Sequence, residues 1–189
     1  SVRELIAFSK ARPGEINFGS PGIGSTIHMS GELFQHMTGV KWVHIPYKGT
    51  GPALIDMLAG HFSLYFGNIP GVIDFARQGR LRSIAVTGAT RSRVVPNIPT
   101  VAESGVPGFE VTSWFGVSAP AKTPRDIVDR LNSEILRALK SPDIQTRFHD
   151  LGVDVLGNSP EQATLYVQNE INKWAKVDRK STRLNSSHV

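Results

Sequence analysis

Ile16-Asn17-Phe18-Gly19-Ser20-Pro21-Gly22-Ile23-Gly24-Ser25-Thr26 is the stretch that decides the fold. Residues 16–18 have the apolar–polar–apolar alternation of a short strand. Residues 19–25 are small and glycine-rich. Residues 26–37 then put Ile27, Leu33, Phe34 and Met37 on or near one helical face, and Thr38-Gly39 ends the run. The same phrase recurs downstream, with residues 43–45 as strand, Pro46-Tyr47-Lys48-Gly49-Thr50-Gly51 as loop, and 52–58 as a helix carrying Pro52 in its first turn. A third strand is expected at 62–66, a third helix at 69–77 and a fourth strand at 81–86. Strands alternating with helices at this spacing predict an α/β fold with a mostly parallel sheet covered by helices. In such sheets ligands sit beyond the carboxyl ends of the strands, where both small-residue loops must lie.

Upstream, residues 1–12 carry Leu5, Ile6 and Phe8 among charges, an amphipathic pattern ended by Pro13-Gly14, so the chain is expected to open inside an element. The Pro/Gly-rich passage 96–108 breaks the rhythm and is the candidate crossing between two lobes. Beyond it, residues 111–119 resemble a strand, and the Trp114-Phe115 pair within it would be core or the floor of a pocket. Thr123 is placed as N-cap with Pro124 at the first helical position. The helix that follows has Ile127, Val128, Leu131, Ile135, Leu136 and Leu139 at helical spacing. Ser141-Pro142-Asp143 and Ser159-Pro160-Glu161-Gln162 start two more helices, the latter with a capping box. Residues 153–156 form a weak strand candidate. This second segment has too few strands to build a covered sheet alone.

Composition narrows the chemistry. The 189 residues carry a net charge of +5, with 40% hydrophobic and 20% charged residues, the profile of an ordinary globular chain. No apolar run approaches the roughly 18 residues of a spanning helix, and the charged N-terminal residues do not form the apolar core of an export signal. The absence of cysteine excludes disulfides and thiolate chemistry. Arg77, Arg80, Arg82, Arg91 and Arg93 are interleaved with apolar and turn residues, and no nucleic-acid-binding motif accompanies them.

Within the first loop, backbone amides left uncovered by Gly22 and Gly24, the hydroxyls of Ser20, Ser25 and Thr26, and the positive end of a helix dipole suit an anion such as a carboxylate. The same residues also suit a plain strand-to-helix turn. Neither a P-loop nor a dinucleotide fingerprint is present. The second loop, with Tyr47, Lys48, Gly49 and Thr50, is of like design, and Lys48 either meets an acidic ligand or is simply solvated. Asn68 stands at a third strand end, as ligand contact or helix cap. His28, in the first turn after the glycine loop, is the one histidine retained as a ligand contact. The histidine spacings lack a metal-binding pattern, so no metal or cofactor is expected. No Gly-x-Ser-x-Gly elbow or paired carboxylates appear, so no catalytic residue is assigned. The alternative is an α/β enzyme using residues 20–26 as an oxyanion or phosphate cradle, disfavoured for want of a nucleophile–base pair.

The runs Pro13-Gly14-Glu15-Ile16-Asn17-Phe18-Gly19-Ser20-Pro21-Gly22, Gly31-Glu32-Leu33-Phe34, His44-Ile45-Pro46-Tyr47-Lys48-Gly49, Pro99-Thr100-Val101-Ala102-Glu103-Ser104-Gly105 and Trp114-Phe115-Gly116-Val117-Ser118-Ala119-Pro120 resemble the Bug family. Its members are the periplasmic solute receptors of tripartite tricarboxylate transporters. The resemblance implies a type II periplasmic-binding-protein fold whose two α/β lobes close on a small carboxylate and deliver it to membrane permease subunits. Family binding positions carry over to residues 20–26, and more loosely to 47–51 and Asn68. It further implies that residues 1–104 are the second lobe and 105–177 the returning part of a first lobe whose N-terminal strands and export signal are missing. Such a fragment is expected to bind weakly and self-associate. Residues 178–188 match, codon for codon, a translated short-read sequencing adapter, so 178–189 is read as a non-native tail.

Overall fold

The computed structural model describes the backbone of residues 1–185 and the side chains of residues 1–175, as two compact units, 1–113 and 114 onward. In the first, Ser1 caps helix α1 (Val2–Ala11) by accepting the Glu4 amide, and the Glu4 side chain returns to the Ser1 backbone. Strand β1 (Asn17–Ser20), helix α2 (Thr26–Thr38), strand β2 (Val43–Pro46), helix α3 (Thr50–Leu58), strand β3 (Leu64–Tyr65) and helix α4 (Ile69–Arg77) follow. The three strands are parallel in the order β2-β1-β3, with Phe18 opposite His44 and Leu64. This is the strand–loop–helix repetition expected from the sequence, with β1 in the centre and every loop of interest at one end. Helix α3 begins two residues earlier than its proline suggested, so Thr50 and Gly51 belong to its first turn.

An aromatic core holds α2 to the sheet. Phe18 is wholly buried, Phe34 stacks on Trp42 at 4.8 Å, and Phe109 meets Phe34 edge-on at 5.9 Å. The Trp42 indole donates to the buried Ser9 hydroxyl at 2.8 Å, pinning α1 to the same core. Two glycines are set by this packing: a Cβ on Gly31 would lie 2.4 Å from the Phe18 ring, and one on Gly19 would lie 2.3 Å from the Phe62 ring. Val106, Phe109 and Val111 are buried here too, so the chain beyond Ser104 stays in this unit as far as Ser113.

Three expected strands are not formed. Residues 81–86 contribute a single bridge, Val86 to Thr100, because the amides of Arg80 and Leu81 are engaged in closing the end of α4 on the Phe75 carbonyl. Residues 111–119 run without a partner strand among the described residues. Val111 bonds Thr87, but Phe115 and Val117 are each 81% exposed and Trp114 is 40% exposed, so the aromatic pair is not core. A strand needs a neighbour for its backbone groups, and a local pattern cannot supply one. At residues 153–156, Val153 instead donates to Phe148 and closes the preceding helix.

The second unit holds α5 (Arg125–Leu139), α6 (Pro142–Asp150) and α7 (Pro160–Asn185). The cap of α5 is Pro124, one residue later than expected, since its extended backbone and its carbonyl, which accepts from Val128, set the start. The capping box of α7 forms as expected, with Ser159 N–H on Gln162 and Gln162 N–H on the Ser159 hydroxyl. Trp114 packs edge-on against Tyr166 at 5.6 Å. No residue of α5 or α6 is buried, and Ile127, Leu131, Leu165 and Ile171 remain roughly half exposed or more. Along the tail read as non-native, the backbone continues α7 as far as Asn185, and residues 186–189 lie outside the described residues.

Candidate functional site

The two small-residue loops meet at the carboxyl ends of β1 and β2. Tyr47 N–H donates to the Ser20 carbonyl at 2.9 Å and Gly49 N–H to the Pro21 carbonyl at 3.0 Å, so the ladder between the strands continues into the loops. Gly22 (φ +151°), Gly24 (φ +80°) and Gly49 (φ +110°) take backbone conformations that favour glycine. Ser25 caps α2, its hydroxyl accepting the His28 amide at 3.2 Å and donating to the Gly22 carbonyl at 2.7 Å. Helix α3 has no side-chain cap. The amides of Thr26 and Ile27 on α2, and of Thr50 and Gly51 on α3, have no acceptor among the described residues. Two helix N-termini with free donors therefore open on the same end of the sheet.

The other expected contacts are distributed as follows. Lys48 is exposed on the second loop. Tyr47 turns its hydroxyl to Asp56 at 2.9 Å, and burial followed by this bond to a carboxylate raises its pKa. Asn68 occupies the N-cap position of α4 without capping it through its side chain, and its Oδ1 accepts from the Ser113 hydroxyl at 2.8 Å. Tyr65, at the end of β3, was not singled out from the sequence. Its hydroxyl is buried close to Thr50 without a hydrogen bond of good geometry, and burial raises its pKa.

A second feature missed in the sequence is the cluster beneath the first loop. The fully buried Ser20 hydroxyl lies 2.7 Å from His44 Nε2 and accepts the Gly22 amide at 3.2 Å. The His44 ring packs on Phe18 and on His28, at centroid distances of 4.9 and 4.1 Å. His28 Nδ1 accepts the Gly24 amide at 3.2 Å, and its Nε2 faces Glu32 at 3.8 Å. A serine–histidine pair is thus present in space although none was legible in sequence, with the Gly22 carbonyl at 3.1 Å as a second acceptor for the one hydroxyl proton of Ser20. The available signal was the period of two: Phe18 and Ser20 share one face of β1, and the register places His44 beside them.

Burial, with His28 as a nearby second cation, lowers the His44 pKa to about 4 from 6.5. Burial also lowers that of His28, against the opposing pull of Glu32. The folded chain therefore holds fewer protons than the unfolded chain between pH 6.5 and about 4, and the stability these groups lend is complete above 6.5 and lost as pH falls toward 4. The melting temperature is expected to drop across that window and His44→Gln to flatten the drop. An identical pH profile in the variant would contradict the assignment.

Over residues 1–182 the chain matches the family profile described as "Tripartite tricarboxylate transporter family receptor". It is 40% identical over 181 residues to Protein BugT of Bordetella pertussis, covering 96% of this chain and 56% of that protein. Among solved structures it superposes on R. palustris Rpa4515 with adipate at a TM-score of 0.92 and 39% identity, covering 96% of this chain and 61% of the other. The periplasmic binding protein BugD gives 0.86 and 34%, with 95% and 61% covered. MatC (Rpa3494) from Rhodopseudomonas palustris with bound malate gives 0.81 and 32%, with 93% and 60% covered. The chain spans about half the length of BugT and of most of the curated relatives it matches. Its parallel α/β unit and its superposition on these binding proteins give it their fold over that span, and the chain belongs to the receptor family of the tripartite tricarboxylate transporters.

Proposed function

We propose that this chain is the part of a periplasmic solute receptor that grips one carboxylate of a small organic acid, for delivery to the membrane subunits of its transporter. The observation that carries this is the convergence of two helix N-termini with free amides on loops joined backbone to backbone. Ser20, Gly22, Gly24, Ser25, Thr26 and His28 build and line one side of that anion site. Tyr47, Lys48, Gly49 and Thr50 build the other, and Asn68 flanks it. Solved relatives carrying adipate and malate support a carboxylate as cargo. No helix of the described residues is long and apolar enough to cross a membrane. In this reading the lobe bearing the loops, expected to end at 104, keeps the strap as far as Ser113, residues 114–177 return to the other lobe, and 178–189 are non-native.

Ser20–His44 gives the enzyme alternative its one favourable observation. A serine with no exposed surface cannot reach a substrate without rearrangement, and His44 has no carboxylate partner among the described residues to orient it. The pair reads as a strut under the loop. Titration with adipate, malate and citrate is expected to move the amide resonances of Thr26, Ile27, Thr50 and Gly51 first, with each acid recovered intact. Perturbation elsewhere in the chain, or conversion of the acid, would refute the receptor reading.

A further inference from the structure

We infer that His28 is a positioning residue of the anion loop, that only its neutral ring can hold the loop in place, and that carboxylate capture weakens as the His28–His44 stack takes up protons. The inference rests on the loop being the carboxylate site. Several contacts fix residues 22–25. The Gly22 carbonyl accepts from the Ser25 hydroxyl, the Ser20 hydroxyl and the Ser25 amide, the Gly22 amide donates to Ser20, and the Gly24 amide donates to His28 Nδ1. Imidazoles stand behind two of these anchors, His44 beneath Ser20 and His28 beneath Gly24. At the crest, Ile23 and Gly24, the bond to His28 is the one hydrogen bond among the described residues: Ile23 is 80% exposed, and a Cβ on Gly24 would meet nothing within 4 Å.

The chemistry of the acceptor makes the contact proton-sensitive. An amide can donate to Nδ1 only if that nitrogen keeps its lone pair, so neutral His28 must carry its proton on Nε2, the nitrogen facing Glu32. Protonation sets one N–H against another across 3.2 Å, and the amide must leave. Glu32 on α2 and His44 on β2 are the charged and titratable groups acting on His28. His44 itself faces His28 and the neutral Ser20 of β1. Glu32 favours the proton on His28, whereas the close His44 ring and burial oppose it, so the stack is neutral near neutrality and titrates on acidification. A cationic His28 would also attract an anion. That charge is shared with Glu32, while loss of the Gly24 contact removes the loop shape that aims the Thr26 and Ile27 amides. The loss decides the sign.

The test uses the whole chain and its own resonances. In the unliganded protein near pH 7.5, ring nitrogen shifts are expected to place the His28 proton on Nε2, and a proton on Nδ1 would overturn the inference. On acidification the Gly24 amide is expected to shift in step with the His28 ring. In His28→Gln, whose side-chain oxygen accepts without titrating, that step should vanish. In His28→Ala the amide should sit at its acid position at all pH values. A Gly24 resonance indifferent to the His28 titration, or unmoved in His28→Ala, would overturn the positioning role. Adipate, added as probe, is expected to lose roughly tenfold more affinity between pH 7.5 and pH 5 for the native chain than for His28→Gln, a comparison that cancels protonation of the acid itself, about the worth of one hydrogen bond to a charged group. An equal loss in both proteins, or no loss in acid, would overturn the link to capture. Failure to bind adipate or malate at either pH would instead remove the receptor reading, with the Gly24 resonances still deciding the positioning role.

Discussion

Gly31→Ala is expected to destabilise the first unit by roughly 3 kcal/mol or more, although alanine is the better helix former by about 1 kcal/mol. The added methyl would stand 2.4, 2.7 and 2.9 Å from three carbons of the Phe18 ring, closer than such contacts occur. The ring has no exit. It is fully buried, with His28, Trp42 and His44 around it. Either α2 lifts from the sheet or the ring is driven off its rotamer. Urea unfolding of Gly31→Ala, of Phe18→Leu and of the double variant would measure this, and the pair should be strongly non-additive because leucine returns the space the methyl needs. A stabilised Gly31→Ala would show that propensity outweighs the clash and that the packing of α2 on β1 is looser than described.

The second large effect concerns Phe109. It is 1% exposed and lies edge-on to Phe34, which is itself 2% exposed and stacked on Trp42. Truncation of either ring to alanine should cost about 3–5 kcal/mol. The two losses should couple by about 0.5–1.5 kcal/mol, the worth of an aromatic pair beyond its buried area. The result bears on domain organisation. If Phe109→Ala unfolds the first unit along with Phe34→Ala, the strap from Val106 to Val111 is an integral part of that core. A cost below about 1 kcal/mol would mean the strap is draped over it.

The parts of the molecule that were legible in the sequence are those specified locally. The glycine loop after Phe18, the Gly39 stop of α2 with its φ of +72°, and the Ser159–Gln162 box of α7 each depend on residues within a few positions of one another. Residues 81–86 and 111–119 are richer in β-branched and aromatic residues than β1, which reads Asn-Phe-Gly-Ser, and still form no strand. Whether a segment pairs is decided by what lies alongside it. For the same reason the apolar face of α5 could be read from its spacing, whereas its exposure could not. At the site, the loops and their free amides followed from residue type. The Ser20–His44–His28 cluster did not, because it joins residues 24 apart at its closest contact and exists only in the β1–β2 register.

The bonds from Tyr47 to Ser20 and from Gly49 to Pro21 bear on the thermodynamics of capture. They carry the sheet's rigidity past the ends of its strands, so the two loops form one plate whose shape is set before any ligand arrives. An anion settling on that plate would lose its own freedom of motion and little of the protein's, and the ordering cost that flexible binding loops impose would largely be absent. Binding energy from each amide would then appear as affinity, and cargo selection would fall to whatever the rest of the receptor places opposite the plate.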